Sequence, residues 1–295
     1  MPSEQAISFM NILKQQYIPH VDWSEMDYKA AREQAKANYT AGPMPDGMQV
    51  KDEILAGRPV ERLFLPGASK KIIMHIHGGA MILGDEKCDR FMLAHIGLRS
   101  RRNTISIGYR LCPEVAYPAA LHDCADVYCA LLKEGHKPED IALLGESAGG
   151  MLVLELLAYI KKNAMPMPGC ACAISCSSDA MFQSQSMIRN QSTEFVVNAN
   201  IKEMMQAIYY KDTDLKDPVV SPIYSDLSGW PPVYFYACRE EILLDESVRM
   251  YIRLQEAGVE TDISIVDGLF HTYMCYNIPE SFEAFDRIAG FFNQH

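Results

Sequence analysis

Residues 145–150, with the sequence GESAGG, carry the clearest chemical signal in this chain of 295 residues. A short apolar run at 141–144 precedes them and an apolar helical pattern at 151–160 follows them, which predicts a strand, a sharp turn and a helix. A serine between glycines in that setting indicates a nucleophile elbow, because the strained turn needs nearly side-chain-free neighbours and lifts the hydroxyl out of the backbone. The helix N-terminus favours negative charge at the same place. The sequence therefore predicts that Ser147 is a catalytic nucleophile; an ordinary glycine-rich turn is the alternative.

The base that would activate this serine is predicted from chain order. A serine hydroxyl needs a base that takes its proton and an acid that orients the base. In one known order the nucleophile comes first, then the acid, then a histidine in a loop after the last strand. His271 follows the predicted strand 262–266, whereas His75 and His77 precede the serine and His122 lies within a predicted helix. We therefore predict that His271 is the general base.

Three carboxylates compete for the position of the acid, which should follow the penultimate strand, predicted at 233–237. They are Glu240, Glu241 and Asp245, and spacing alone does not decide between them. Asp245 could equally be the N-cap of the following helix, which is a structural role.

Donors for an oxyanion are expected in the loop that follows an earlier strand. The predicted strand 71–76 leads into HGGA at 77–80, where glycines let the backbone approach a substrate closely. Gly78 and Gly79, with Ala148 after the nucleophile, are predicted to donate their N–H groups to the oxyanion. A plain Gly-Gly turn is the alternative.

The elements that must position these residues alternate between strand and helix. Strands are predicted at 48–54, 60–65, 71–76, 103–108, 141–144, 170–177, 233–237 and 262–266, and helices at 119–132, 245–256 and 280–293. This alternation predicts an α/β fold with a mostly parallel central sheet and helices on both faces.

Two segments lie outside this alternation. Residues 1–45 contain two amphipathic helical patterns, the second at 23–37 with Ser24 as a candidate N-cap. Residues 181–215 form an excursion too long for a passive loop, and such insertions are usually lids or binding segments. We therefore divide the chain into an N-terminal helical segment and a catalytic domain at 46–295 that carries the insertion. A helical hairpin that only stabilises is the alternative for the first segment.

Charge and cysteine content restrict the class of protein. The net charge of -11 disfavours nucleic acid and anionic membranes as partners. We find neither a signal-peptide pattern nor an apolar run long enough to cross a bilayer. The nine cysteines are scattered without a Cys-x-x-Cys pair, which favours buried thiols over a disulfide framework or a zinc site. These features predict a cytoplasmic protein without a metal site.

The motifs together resemble the hormone-sensitive-lipase-like branch of the α/β-hydrolases, a group of microbial carboxylesterases marked by a His-Gly-Gly-Gly stretch. The HGGA sequence matches that stretch except that Ala80 replaces its last glycine, and GESAGG is similar to the family's GDSAGG with Glu146 for Asp. The resemblance covers about residues 60–295. Further similar segments are YRLCPE at 109–114, YPAA at 117–120, DPVVSP at 217–222 and DLSGWPP at 226–232.

The resemblance also implies which carboxylate is the acid. The family's acid opens an Asp-Pro-Leu-x-Asp-Glu segment, and residues 241–246 fall on it without gaps while His271 stays in register. Glu241 is thereby implied as the acid, with glutamate in place of aspartate, and Asp245 as a structural residue.

A cap and a pocket are implied in the same way. By resemblance, the N-terminal helices and the insertion form a largely apolar cap over Ser147. Residues proposed to line the substrate pocket are Ala80, Met81, Met181, Phe182 and Met187.

The sequence thus predicts an α/β-hydrolase that acts as a serine carboxylesterase on short-to-medium acyl esters through an acyl-enzyme. No metal or organic cofactor is expected, the partner is a small-molecule ester, and analogy with family members suggests a homodimer. One alternative is an amidase or arylformamidase, because the same triad serves both and only the pocket separates them. The other is a non-catalytic module that binds a small ligand, a change that usually sacrifices a triad member.

Overall fold

The computed structural model describes residues 1–37 and 42–295, so the part of the predicted N-terminal segment at 38–41 lies outside the described residues. Eight strands in the described residues form one sheet. They are β1 (Gln49–Leu55), β2 (Arg58–Phe64), β3 (Ile72–Ile76), β4 (Asn103–Ile107), β5 (Ile141–Glu146), β6 (Cys170–Ile174), β7 (Val233–Cys238) and β8 (Thr261–Val266). Their spatial order is β1-β2-β4-β3-β5-β6-β7-β8. β2 pairs antiparallel with β1 and β4, and every pair from β4 to β8 is parallel, which confirms the predicted mostly parallel sheet.

This topology explains how distant residues meet. The carboxyl ends of parallel strands lie at one edge of a sheet, and ligands of such folds bind there. The loop after β3, Ser147 after β5, Glu241 after β7 and His271 after β8 all begin at that edge. β3 and β5 are direct neighbours, with Ile76 opposite Gly145.

Helices cover both faces of the sheet, as predicted. Along β3, the side chains of Ile72, Met74 and Ile76 enter one buried cluster and that of Ile73 enters the other, the alternation expected of a strand. α4 (Ala119–Lys133), α5 (Ala148–Lys162) and α8 (Leu244–Glu256) contribute to the first cluster, and α1 (Glu4–Gln16), α3 (Arg90–Ser100) and α9 (Pro279–Gln294) to the second. Within residues 1–37 and 42–295, no helix combines the length and the apolar character needed to span a bilayer.

The structure corrects the sequence-based description of two helices. α3 was not predicted, because residues around its whole circumference are buried and it has no polar face to reveal a period. The helix predicted from residue 23 is α2 (Tyr28–Ala37). The N-cap prediction for Ser24 is wrong, because its hydroxyl donates to Asp22 Oδ1 at 2.7 Å, while Asp27 Oδ1 accepts the Ala30 N–H at 2.9 Å.

The insertion and the N-terminal segment lie against each other. The insertion contains α6 (Ser186–Arg189) and α7 (Ile201–Met204), and α7 continues into a π-helical turn at Met205–Tyr209. The Tyr17 hydroxyl donates to Val197 O at 3.0 Å, and Asn200 Nδ2 donates to Val21 O at 2.8 Å. Both segments contribute walls to one cavity.

Candidate active site

Ser147 lies at a sharp turn between β5 and α5. Its backbone has φ +54° and ψ −120°, a conformation that residues other than glycine rarely adopt. A Cβ on Gly145 would come within 2.4 Å of Gly149 O, and one on Gly149 within 1.9 Å of Ile76 O, so both positions require glycine. The Ser147 N–H donates to Ile174 O at 2.8 Å, which ties the turn to β6.

His271 lies in the loop after β8 and is hydrogen-bonded to Glu241. The distance from His271 Nδ1 to Glu241 Oε2 is 2.7 Å, and both side chains are buried. Glu241 Oε1 accepts the Cys238 N–H at 2.9 Å, which fixes the carboxylate. Because Nδ1 is directed at the carboxylate, Nε2 is the ring nitrogen left for Ser147. His271 and Ser147 line the same cavity.

The surroundings of His271 favour its protonated form. Burial has the largest single effect and lowers the pKa of His271. The hydrogen bond and charge of Glu241, with the charges of Glu194 and Glu146, oppose burial and together raise the pKa above its usual value. The site can therefore hold the proton that a serine hydroxyl would release.

The three candidate acids have different partners. Glu241 is the one whose carboxylate contacts His271. Glu240 Oε1 accepts the Gly268 N–H at 2.8 Å, and Asp245 Oδ2 accepts the Ser186 N–H at 2.8 Å. Asp245 is not an N-cap either, since α8 begins after Leu243.

Residues of the insertion hold the loop that carries Glu241. The Ser186 hydroxyl donates to Ile242 O at 2.6 Å, and Asn190 Nδ2 donates to the carbonyls of Arg239 and Glu241, both at 2.8 Å. These contacts hold the loop from which the Glu241 side chain extends.

Glu194 is a further buried carboxylate beside this loop that the sequence analysis missed. Its Oε2 accepts the Ile242 N–H at 3.2 Å. Its Oε1 accepts three consecutive backbone N–H groups, those of residues 195, 196 and 197. Its position immediately before the apolar sequence FVV, inside the insertion, was the available signal for a buried acid.

The loop after β3 differs from the prediction at Gly78. Its N–H donates to Glu146 Oε1, so this group is engaged by a side chain rather than directed at an oxyanion. Gly79 and Ala80 follow with φ of +103° and +54°, and both line the cavity, as does Ala148. A Cβ at residue 79 would lie 2.4 Å from Leu83 O, so the tight turn requires glycine there.

Behind the nucleophile lies a buried network centred on Glu146. Its Oε2 is 2.8 Å from His75 Nε2, and His75 Nδ1 is 2.9 Å from Ser106 Oγ. Asp89 lies beside them and accepts a hydrogen bond from the Cys88 thiol at 2.8 Å. Burial raises the pKa of Glu146 to about 8 and that of Asp89 to about 6, and it lowers the pKa of His75 to about 4.

This network also has the spacing of a metal-ligand set, which the sequence analysis did not expect. One donor atom each from His75, Asp89 and Glu146 lies within 4.8 Å of the others. Hydrogen bonds within the network and to Ser106 and Gly78 already use these donors and acceptors.

The cavity above Ser147 has a volume of about 430 Å³ and largely apolar walls. Side chains that line it include Val21, Trp23 and Met26 from the N-terminal segment, and Phe182, Val196, Ile201 and Met205 from the insertion. Of the residues predicted to line the pocket, Ala80 and Phe182 do so. The prediction for Met81 is wrong, because its side chain is buried in the hydrophobic core; Met187 likewise belongs to that core, and Met181 is not part of the cavity wall.

Known proteins resemble this chain in sequence and structure. The sequence profile of the α/β-hydrolase fold family matches residues 73–275. An esterase of Acinetobacter venetianus is 32% identical over 254 residues, which cover 84% of this chain and 83% of that protein. An acetyl-hydrolase of Streptomyces hygroscopicus is 28% identical, with 75% of each chain covered. The crystal structure of an esterase from the bacterial hormone-sensitive lipase family superposes with a TM-score of 0.92 at 27% identity, covering 100% of this chain and 99% of that one.

Proposed function

This chain belongs to the α/β-hydrolase fold family, and from that premise we propose that it is a carboxylic ester hydrolase that forms an acyl-enzyme on Ser147. The observation that carries the assignment of residues is the contact of 2.7 Å between His271 and Glu241, at a cavity that Ser147 also lines. The names of the relatives favour ester hydrolysis over the amidase alternative.

In the first half-reaction, Ser147 Oγ attacks the ester carbonyl and His271 Nε2 takes the hydroxyl proton. Glu241 stays ionised and stabilises the imidazolium through Nδ1. The tetrahedral intermediate collapses as His271 passes the proton to the leaving alcohol. Water then attacks the acyl-enzyme with His271 again as the base, which releases the acid and restores the serine.

The oxyanion of each tetrahedral intermediate needs N–H donors that are already in place. We assign these donors to Gly79, Ala80 and Ala148, three residues that line the cavity. Ala80 takes the place of Gly78 among the proposed donors, because the Gly78 N–H is bonded to Glu146. Glu146 thereby supports the oxyanion loop from behind.

The substrate is proposed to be a small, uncharged ester with a short-to-medium acyl chain. A volume of about 430 Å³ lies toward the small end of typical ligand pockets, which span roughly 300–1,000 Å³. Apolar side chains from the N-terminal segment and the insertion enclose this volume, and we propose that the two segments act together as a cap.

Replacing the nucleophile tests this function. Ser147→Ala should abolish hydrolysis of p-nitrophenyl butyrate and labelling by a serine-directed fluorophosphonate. Ser100→Ala is a matched control, because it removes a buried hydroxyl bonded to Ile96 O at 2.8 Å, away from the cavity. Retention of most activity by Ser147→Ala would refute the proposal.

Two further expectations belong to the same proposal. A cytoplasmic location is supported by the nine cysteines, all in the described part of the chain and none in a disulfide; cell fractionation tests it. A homodimer is proposed by analogy with family members, and β1 and β8, at the two ends of the sheet, are the edge strands available for pairing with a second copy. Light scattering on the purified protein measures the assembly.

A further inference from the structure

Glu155 is a fully buried carboxyl group on α5 that the mechanism above does not use. It lies about two helical turns after Ser147, and its exposed fraction is 0%. Glutamate is almost never fully buried without a polar partner. Its partners are two tyrosine hydroxyls: Tyr210 Oη lies 2.5 Å from Oε1 and Tyr209 Oη lies 3.4 Å from Oε2.

Both tyrosines belong to the insertion: Tyr209 is the last residue of the π-helical turn and Tyr210 follows it. The Tyr210 N–H donates to Met205 O at 2.8 Å, a bond that spans five residues instead of four. Consecutive side chains of an α-helix point about 100° apart, so this wider turn helps two adjacent rings reach the same carboxyl group. The ring centroids are 4.6 Å apart. The backbone of Tyr209 is held as well, because its carbonyl accepts the Tyr117 N–H at 2.8 Å.

The same contacts reach the wall of the substrate cavity. Met205, whose carbonyl closes the π-helical turn, lines the cavity. Met151 lies one helical turn before Glu155 and also lines it. The Tyr210 hydroxyl is 3.1 Å from Met151 Sδ. One hydroxyl therefore contacts both the buried carboxyl group and a side chain of the wall.

We propose that Glu155 is a specificity-determining residue that sets the length of ester chain the cavity accepts. By holding Tyr210, and more weakly Tyr209, it fixes the separation between the insertion and α5. That separation determines how far Met205 and Met151 close the cavity. This inference rests on the proposed function, because it concerns which esters reach Ser147.

The protonation state of Glu155 agrees with this role. Burial raises the pKa of Glu155 to about 8, although the hydrogen bonds of Tyr210 and Tyr209 act in the opposite direction. Near pH 7 the group is mostly a neutral acid, which can donate one hydrogen bond and accept another without burying a charge. Glutamine has nearly the same shape and is therefore the conservative variant.

Chain-length profiles test the proposal. The measurement is kcat/KM for p-nitrophenyl esters from acetyl to dodecanoyl, and for acetate esters of alcohols of increasing length. Tyr210→Phe removes one hydroxyl and keeps the ring, and Glu155→Ala removes the whole attachment. We expect both to raise the ratio of decanoyl to butyryl ester turnover by at least about fivefold, because a methylene in an apolar pocket changes specificity by roughly 10-fold or more. Tyr209→Phe, with its longer contact, and Glu155→Gln should shift the ratio less.

The matched control is Tyr128→Phe. This variant also removes the hydroxyl of a buried tyrosine, which lies on α4 and donates to Pro166 O at 2.9 Å. Its chain-length profile should remain that of the unmodified protein. If Glu155→Ala fails to fold, the profile of Tyr210→Phe still tests the inference. An unchanged profile in Tyr210→Phe, with acetate turnover and fluorophosphonate labelling intact, would overturn the inference alone. Absence of labelling in the unmodified protein would overturn the proposed function and this inference with it.

Discussion

The structure contains two buried histidine–carboxylate pairs with nearly the same contact distance, in which the pKa of the histidine is shifted in opposite directions. His271 and Glu241 are 2.7 Å apart, and His75 and Glu146 are 2.8 Å apart. The pKa of His271 is raised, whereas burial lowers the pKa of His75 to about 4 and raises that of Glu146 to about 8. The first site therefore favours a protonated histidine and the second disfavours it.

The surroundings of each pair account for the difference. Both carboxyl groups accept a backbone N–H, but the charges of Glu241 and the nearby Glu194 raise the pKa of His271. His75 is instead enclosed in the sheet and bonded to the Ser106 hydroxyl, so burial dominates. A contact distance therefore does not reveal which pair transfers protons; the balance between burial and nearby charges does.

The largest expected effect is the loss of kcat when the carboxylate of the first pair, Glu241, is replaced by glutamine. In Glu241→Gln, the Cys238 N–H attracts the amide oxygen, so the NH₂ group faces His271 Nδ1 and imposes the tautomer that cannot accept the serine proton. We expect kcat for p-nitrophenyl butyrate to fall roughly 10³- to 10⁴-fold. Asp245→Asn, which removes a carboxylate outside the pair, is the control. A larger loss in the control would transfer the role of the acid to Asp245.

In the second pair, replacement of Glu146 by glutamine should preserve activity, whereas replacement by alanine should not. At neutral pH the Glu146 acid can donate to His75 Nε2 while accepting the Gly78 N–H, and an amide reproduces both bonds. Glu146→Gln should retain kcat near pH 7 to within about threefold. Glu146→Ala releases the oxyanion loop and should lower kcat by about 10- to 100-fold, less than removal of an oxyanion donor itself. Equal losses in both variants, measured on folded protein, would show that Glu146 acts as a charge.

A smaller effect concerns the charge beside His271. Glu194→Gln removes one negative charge that raises the pKa of His271, so that pKa should fall. The base is active when neutral, and the acidic limb of the kcat/KM profile should therefore move to lower pH. Arg249→Gln, which changes a charge on α8 paired with Asp179, is the control and should leave the limb in place. A shift to higher pH in Glu194→Gln would contradict the assigned electrostatics.

The smallest effect is on stability. The pKa of Glu146 in the folded protein, about 8, exceeds its ordinary value of 4.5. Its contribution to stability is complete below pH 4.5 and is lost as the pH rises through about 8. The melting temperature of Glu146→Gln should fall less between pH 6 and pH 9 than that of the unmodified protein, by several degrees at about 2–4 °C per kcal/mol. If the melting temperatures of the two proteins fall in parallel, Glu146 is already ionised in the folded state over this range, as it is in the unfolded chain.

The sequence predicted those parts of the site that depend on chain order and on backbone sterics. Ser147 was predicted because its turn requires glycine on both sides, and His271 because it follows the last strand. Family register, rather than local chemistry, selected Glu241 among its neighbours. The sheet was predicted because its apolar strands are short and separated by turn residues.

The features of the fold and the site that the sequence did not predict depend on where side chains point. The engagement of the Gly78 N–H follows from the rotamer of Glu146, and the side chain of Met81, whose backbone has φ +63°, is buried in the core. Glu194 lies in an insertion without regular periodicity. α3 was missed because burial around its whole circumference leaves no amphipathic pattern. Each of these depends on contacts between residues distant in sequence, which periodicity does not report.

The hydrogen bonds between residues 17–21 and 197–200 have a consequence for biosynthesis. Tyr17 and its acceptor Val197 are 180 residues apart, so the earlier segment leaves the ribosome long before its partner exists. Until then, the apolar side chains of Trp23 and Met26 have no completed pocket to enclose. Formation of the substrate chamber should therefore be a late event, and nascent chains halted before residue 197 should bind chaperones through this region.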